Sequence, residues 1–164
     1  MQNTSLSSNF EKIIEFHKAF GLEYHDTHQK DFFSKTKLVK LRLDLIQEEF
    51  DELKEAIKNK DFTEVRDAIG DILYVVYGAA ASFGIEANKD YELIHNSNMS
   101  KLCVSEEEAK ETVEWYQNKY SKNELPYDSP CFRKSNDGKY WVVYNKSSGK
   151  ILKSINYKPV NLSS

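Results

Sequence analysis

The sequence predicts a mainly α-helical bundle that ends in a small β-hairpin or meander. Two observations carry that prediction. Apolar residues recur at helical spacing in successive segments from Phe10 to about Tyr120, and beyond Tyr120 short β-favouring runs alternate with turn compositions.

The first helix is read from "NFEKIIEFHKAFG", where Phe10, Ile13, Ile14, Phe16 and Phe20 fall near helical spacing and Gly21 is a natural stop. From about Lys35 to Asn59, Leu38, Leu41 and Leu45 with Val39, Ile46, Phe50, Leu53 and Ile57 form one broad stripe, predicting a long second helix. "NKDF" interrupts it, and Asp61 followed by Glu64 has the spacing of a capping box opening a third. The body of that third helix, "AIGDILYVVYGAAASFG", is apolar nearly all round, which predicts a place in the middle of the bundle, and Gly78, Ala79, Ala80 and Ala81 allow close approach of neighbours. A fourth helix is expected from Asp90 to Met99, and a fifth from Ser105, with Glu108 again in capping-box spacing. In "PCFRKSNDGKYWVVYNKSSGKILKSINYKPV" the turns fall at Asn136-Asp137-Gly138 and Lys146-Ser147-Ser148-Gly149, predicting two or three strands. The 164 residues fit a single domain, a bundle over about 8–121 with a meander appended over about 125–160.

Hydrophobic residues at 40% and charged residues at 30% suit a folded globular chain. A net charge of -3 gives no reason to expect a nucleic-acid partner. Cys103 and Cys131 form neither a metal-type pair nor a disulfide framework. The N-terminal stretch lacks the basic start and apolar core of a signal peptide, and no apolar run reaches membrane-spanning length. A cytoplasmic protein with no membrane association is the expectation.

The acidic residues of the second and third helices are the feature that asks for a function. Glu48, Glu49 and Glu52 fall within an arc of about 100° that continues the line of Leu38, Leu41 and Leu45, and Glu64, Asp67 and Asp71 fall within about 60° of one another. Both sets are expected to point toward the bundle. On an exposed helix such charges are normally offset by Lys or Arg three or four positions away. Glu48, Glu49, Glu52, Asp67 and Asp71 have no such neighbour, and Glu64 has only Lys60. Carboxylates nearing a core without counter-charges must either hold their protons more tightly or share a cation, and a hard divalent ion such as Mg²⁺ suits oxygen donors.

Other candidates weigh less. Glu92 and His95 make half of a di-iron motif whose second copy is missing. His17, His25 and His28 fit no zinc spacing and read as surface or pocket histidines. Trp115, Tyr116, Tyr120, Tyr140, Trp141 and Tyr144 suit core or interface packing better than base stacking.

Glu49-x-x-Glu52, then Glu64-x-x-Asp67, followed by "DILYVVYGAAASFGI" and "HNSNMSKL", resembles the MazG-like branch of the all-α nucleoside triphosphate pyrophosphohydrolases, relatives of phosphoribosyl-ATP pyrophosphohydrolase and the dimeric dUTPases. The resemblance runs from about Phe16 to Leu102 and resumes near the end in "GKILKSINYKPV". It implies Mg²⁺-dependent hydrolysis of a nucleoside or deoxynucleoside triphosphate to the monophosphate and pyrophosphate, in a homodimer or higher homo-oligomer, with Mn²⁺ as a substitute metal. It further implies Glu49, Glu52, Glu64 and Asp67 as metal ligands, Asp71 as their support, and Glu48 as the group that orients or deprotonates water. Asn98 and Lys101 would contact sugar or phosphates, and Phe16, His17 and Phe20 would help form the nucleotide pocket. The segment between Lys101 and Gly149 exceeds what compact relatives carry. The same bundle would also serve a non-catalytic interaction module or a nucleotide-binding sensor.

Overall fold

A computed structural model describes residues 7–163 as two compact units, the first ending at Asp90 and the second beginning at Tyr91. The first unit holds α1 (Asn9–Phe20), a 3₁₀ turn (Phe32–Ser34), α2 (Thr36–Asn59) and α3 (Phe62–Phe83). α4 (Ala87–Met99) contains the boundary, and the second unit continues with α5 (Glu106–Ser121), β1 (Pro130–Lys134) and β2 (Trp141–Asn145).

Local chemistry accounts for most helix ends. Ser8 accepts from the Glu11 N–H while Glu11 accepts from the Ser8 N–H, a reciprocal cap that starts α1, and Gly21 ends it in the left-handed region. α2 and α3 are joined only by Lys60 and Asp61, so they form a helical hairpin, and α1 packs on α3. Asp61 caps α3 by accepting from the Thr63 and Glu64 N–H groups. The return half of the expected capping box is absent, because the Asp61 N–H donates to the Ala56 carbonyl that closes α2. Glu64 therefore has no capping duty. Gly84 closes α3 at φ +70°, and a Cβ there would lie 1.8 Å from the Thr27 carbonyl oxygen. Only glycine lets the loop before the 3₁₀ turn strap onto the end of α3, where His25 N–H and Gln29 N–H bond the Ala81 and Phe83 carbonyls.

One expectation about packing needs correction. α3 does not lie covered on all sides within its unit: Gly78, Ala79, Ala81 and Ser82 are buried, yet Ile69, Leu73 and Val76 stay exposed, since α1 and α2 mask only part of its circumference. Within the second unit α5 packs on the sheet. Its Ala109, Thr112, Val113 and Tyr116, at i, i+3, i+4 and i+7, form one face against Cys103, Val143 and Leu152.

The β region is a two-stranded antiparallel ladder, Pro130 opposite Asn145 through Lys134 opposite Trp141. The third strand is reduced to a single bridge between Tyr144 and Ile151, and Cys103 bridges Trp141 on that same edge of β2, away from β1. α4 begins at Ala87, three residues earlier than its periodicity indicates. Among the described residues no single helix is long and apolar enough to cross a membrane.

Candidate active site

The α2–α3 hairpin brings Glu48, Glu49, Glu52, Asp67 and Asp71 into one electrostatic neighbourhood. Glu49 is half-buried, and its Oε2 is sealed from solvent with no hydrogen-bond partner. Burial first, then the negative charges of Asp71, Glu52, Glu48 and Asp67, push its carboxyl above the usual glutamate range. The remaining carboxylates are exposed, so the inward orientation expected of both sets holds for Glu49 alone. Among the described residues no three His, Cys, Asp or Glu side chains converge tightly enough to chelate a metal as they stand.

The lysines of α2 answer different acids. Lys40 pairs with Asp44, Lys54 with Asp51 at 2.9 Å and Lys58 with Glu55 at 3.1 Å, all on exposed helix surface. Among the described residues none of Glu48, Glu49, Glu52, Glu64, Asp67 or Asp71 takes part in an ion pair. On α2 the paired acids Asp44, Asp51 and Glu55 thus adjoin a strip, Glu48, Glu52 and Glu49, that stays unpaired. Glu64, exposed one turn before Asp67, is free of both cap and counter-ion.

The other expected site residues fall into two groups. In the second unit Lys101 Nζ donates to Asn98 Oδ1 at 2.7 Å, so these two side chains are adjacent. In the first unit Phe16 meets Phe20 with ring centroids 4.3 Å apart and Tyr74 edge-on at 5.4 Å. His17 is not a surface histidine. It is buried in α1 with Nδ1 2.9 Å from the Glu23 carbonyl oxygen, which also accepts from Ser82 Oγ at 3.1 Å. His25 and His28 lie nearer the surface, and His25 pairs with Glu23.

The family model for phosphoribosyl-ATP pyrophosphohydrolase matches residues 13–98, more than half the chain and the whole of the acidic hairpin. The chain belongs to the phosphoribosyl-ATP pyrophosphohydrolase family. Its resemblance to the MazG-like pyrophosphohydrolases is of a piece with that membership, and the family points to pyrophosphohydrolase chemistry on a nucleotide. An uncharacterized protein of Acanthamoeba polyphaga mimivirus is 30% identical over 98% of this chain and 96% of its own length. The second unit, which lies mostly outside the family match, is therefore included in that likeness.

For this family member, the hairpin suits a hard divalent cation on its own chemistry. Every candidate donor is a carboxylate oxygen, and the orphaned Oε2 of Glu49 lacks the partner that a buried polar atom requires. One residue escaped the sequence reading altogether: Arg42, buried on α2 with an unpartnered Nε. The available signal was an arginine within the Leu38–Leu45 stripe, seven residues before Glu49 and so on nearly the same face.

Proposed function

We propose that this protein hydrolyses a nucleoside or deoxynucleoside triphosphate to the monophosphate and pyrophosphate with Mg²⁺, Mn²⁺ serving as a substitute. The observation that carries the reading is Glu49: a sealed carboxylate oxygen without a donor, in a field of four further carboxylates. Protein groups alone leave that arrangement unfavourable, and a cation reverses its sign.

Glu49, Glu52, Glu64 and Asp67 would hold the metal, with Asp71 restraining Glu49 and Asp67 from the next turn. When bound, the metal neutralises charge on the phosphate oxygens and on the departing pyrophosphate. Glu48, exposed beside Glu49, accepts a proton from the attacking water as its oxygen bonds the α-phosphorus and the bond to the bridging oxygen breaks. The proton leaves with Glu48 and the electron pair with pyrophosphate, so no covalent enzyme intermediate is needed. Phe16, Phe20 and His17 of the same unit border the base.

Self-association into a homodimer or higher homo-oligomer belongs to the same proposal. Phe50, Ile57 and Leu73 on the hairpin are 50%, 60% and 51% exposed, more apolar surface than one helical layer usually leaves to water. Sedimentation velocity should give a species of at least twice 19.1 kDa.

The direct test incubates the full chain with each common nucleoside and deoxynucleoside triphosphate and Mg²⁺. Monophosphate and pyrophosphate are expected, with loss of turnover on chelation. Diphosphate with orthophosphate, or no turnover of any nucleotide, would remove the assignment.

A further inference from the structure

The net charge of -3 hides a division along the chain. Residues 125–164 carry seven Lys and Arg against two Asp, a local charge of +5, and the acidic excess lies entirely before them. All seven cations are exposed, and among the described residues none of them takes part in an ion pair. The two acids are engaged elsewhere: Asp128 accepts from Ser129, Asn145 and Ser147, and Asp137 accepts from Ser135 and the Lys139 N–H. Uncompensated positive charge at this density is the footprint of a polyanion.

Aromatic rings are interleaved with that charge. Lys153 Nζ stands 4.3 Å from the Tyr157 ring centroid, and Lys150 Nζ stands 5.1 Å from that of Tyr127. Tyr127 meets Tyr116 edge-on at 5.6 Å, and Tyr116 meets Trp115 edge-on at 4.9 Å, so these rings form one chain of contacts within the second unit. Trp115 remains 43% exposed. Lys119 on α5 is already paired with Glu124, and Glu111 lies one turn before Trp115, so α5 bounds the face and its free cations are those of the tail.

A groove of about 260 Å³ opens on this face, lined by Trp115, Tyr116, Lys153, Ser154, Ile155 and Tyr157. The Ser154 hydroxyl is engaged, donating to Glu108 and accepting from the Asn156 N–H, and Tyr116 Oη accepts from the Lys153 N–H at 3.1 Å. The groove therefore offers chiefly ring faces and amines. An acidic peptide or an anionic membrane would satisfy the amines and leave the rings unused. A single strand of nucleic acid supplies phosphates for the amines together with unstacked bases for the rings, whereas a duplex keeps its base faces covered.

We propose that this face of the second unit binds single-stranded nucleic acid, Trp115 and Tyr157 stacking on bases while Lys150 and Lys153 meet phosphates, with little choice of sequence. It stands apart from the reaction at the acidic hairpin and does not depend on it.

The experiment titrates the full chain, in chelator so that the acidic hairpin repels polyanions, into a labelled oligothymidylate of about twelve nucleotides and follows fluorescence anisotropy. Wild type should bind with a Kd at or below about 100 µM at physiological salt. Lys150→Gln combined with Lys153→Gln should weaken binding at least about fivefold and make the slope of log K against log salt shallower by about one. Trp115→Leu should also weaken it about fivefold or more, with the slope unchanged, and Trp115→Phe should restore most of the loss. The three positions are exposed, so circular dichroism of every variant should match wild type. No saturable binding, wild-type affinity in the variants, or equal affinity for the matching duplex would overturn the proposal. Binding to phosphatidylserine vesicles without binding of the oligonucleotide would assign the face to a membrane and overturn it as well.

Discussion

Glu49 and Glu108 are both glutamates with a buried oxygen in a helix, and their surroundings have opposite consequences. Glu108, in α5, accepts from the Val104 N–H at 2.9 Å and from Ser154 Oγ. Burial alone would raise its carboxyl, but the donors of Ser154, Val104 and Asn156 together draw it below the usual range. Glu49 is given no donor, and four acids surround it, so burial and repulsion both drive its carboxyl upward. A buried carboxylate with its donors supplied by the protein tethers one segment to another. The same group with no donor waits for something from outside.

The sharpest way to break this contrast is mutation at the acidic hairpin. Glu49→Gln or Asp67→Asn should lower kcat at least about 100-fold, about 2.7 kcal/mol in the barrier, without loss of metal-free stability, because each removes a repelling charge. Pyrophosphate release and thermal unfolding in chelator measure the two halves. Unchanged turnover in both variants would contradict the ligand assignment.

Glu108→Ala should do the reverse, leaving the hairpin's acids untouched but orphaning donors in the second unit at about 1–3 kcal/mol each. Both tryptophans, Trp115 and Trp141, lie in that unit, so denaturant unfolding followed by their fluorescence reports it selectively. A midpoint equal to wild type would show that the Ser154 and Val104 contacts contribute nothing.

Proton linkage sharpens the comparison further. The depressed carboxyl of Glu108 contributes stability above the unfolded glutamate range, and that contribution is lost as pH falls through its folded value. Glu49, raised in the folded state, favours folding only at low pH, and its contribution disappears as pH rises through its folded value. In metal-free protein, Glu49→Gln should therefore gain Tm relative to wild type toward neutrality, whereas Glu108→Gln should lose it there. Parallel displacements of the two pH–Tm profiles would refute the contrast.

The smallest effect concerns the start of α3. Asp61→Ala should cost about 1 kcal/mol as a lost N-cap, while Glu64→Ala, with no capping bond to lose, should stay within about 0.5 kcal/mol of wild type in chelator. A capping-sized loss at Glu64 would mean its carboxylate is structurally committed after all.

Much of this molecule is legible in its residues, and the boundary of legibility follows interaction range. Gly21, Asp61 and Ser105 announce helix ends because a cap involves groups within a few positions along the chain. The acidic strip is visible for the same reason: missing counter-charges at i±3 and i±4 can be counted. That Asp61 would not complete a capping box was hidden, since its N–H goes to a carbonyl of the preceding helix. The α3 "YVVYGAAASFG" run looked fit for the middle of a bundle, but how many neighbours a helix acquires is not written in its own composition.

By itself the sequence determined helices, caps, a turn-rich β tail and a paired set of uncompensated carboxylates, all consequences of contacts between near neighbours. Tertiary structure alone decided that Glu49 and not Glu48 loses an oxygen to the interior, and that Glu108 finds Ser154 forty-six positions away. It also decided that α5 serves the sheet, and that Arg42 and His17 both come up against Gly78 on a third helix. Burial and long-range donors depend on which surfaces come together, and those free energies exist only once the chain has folded.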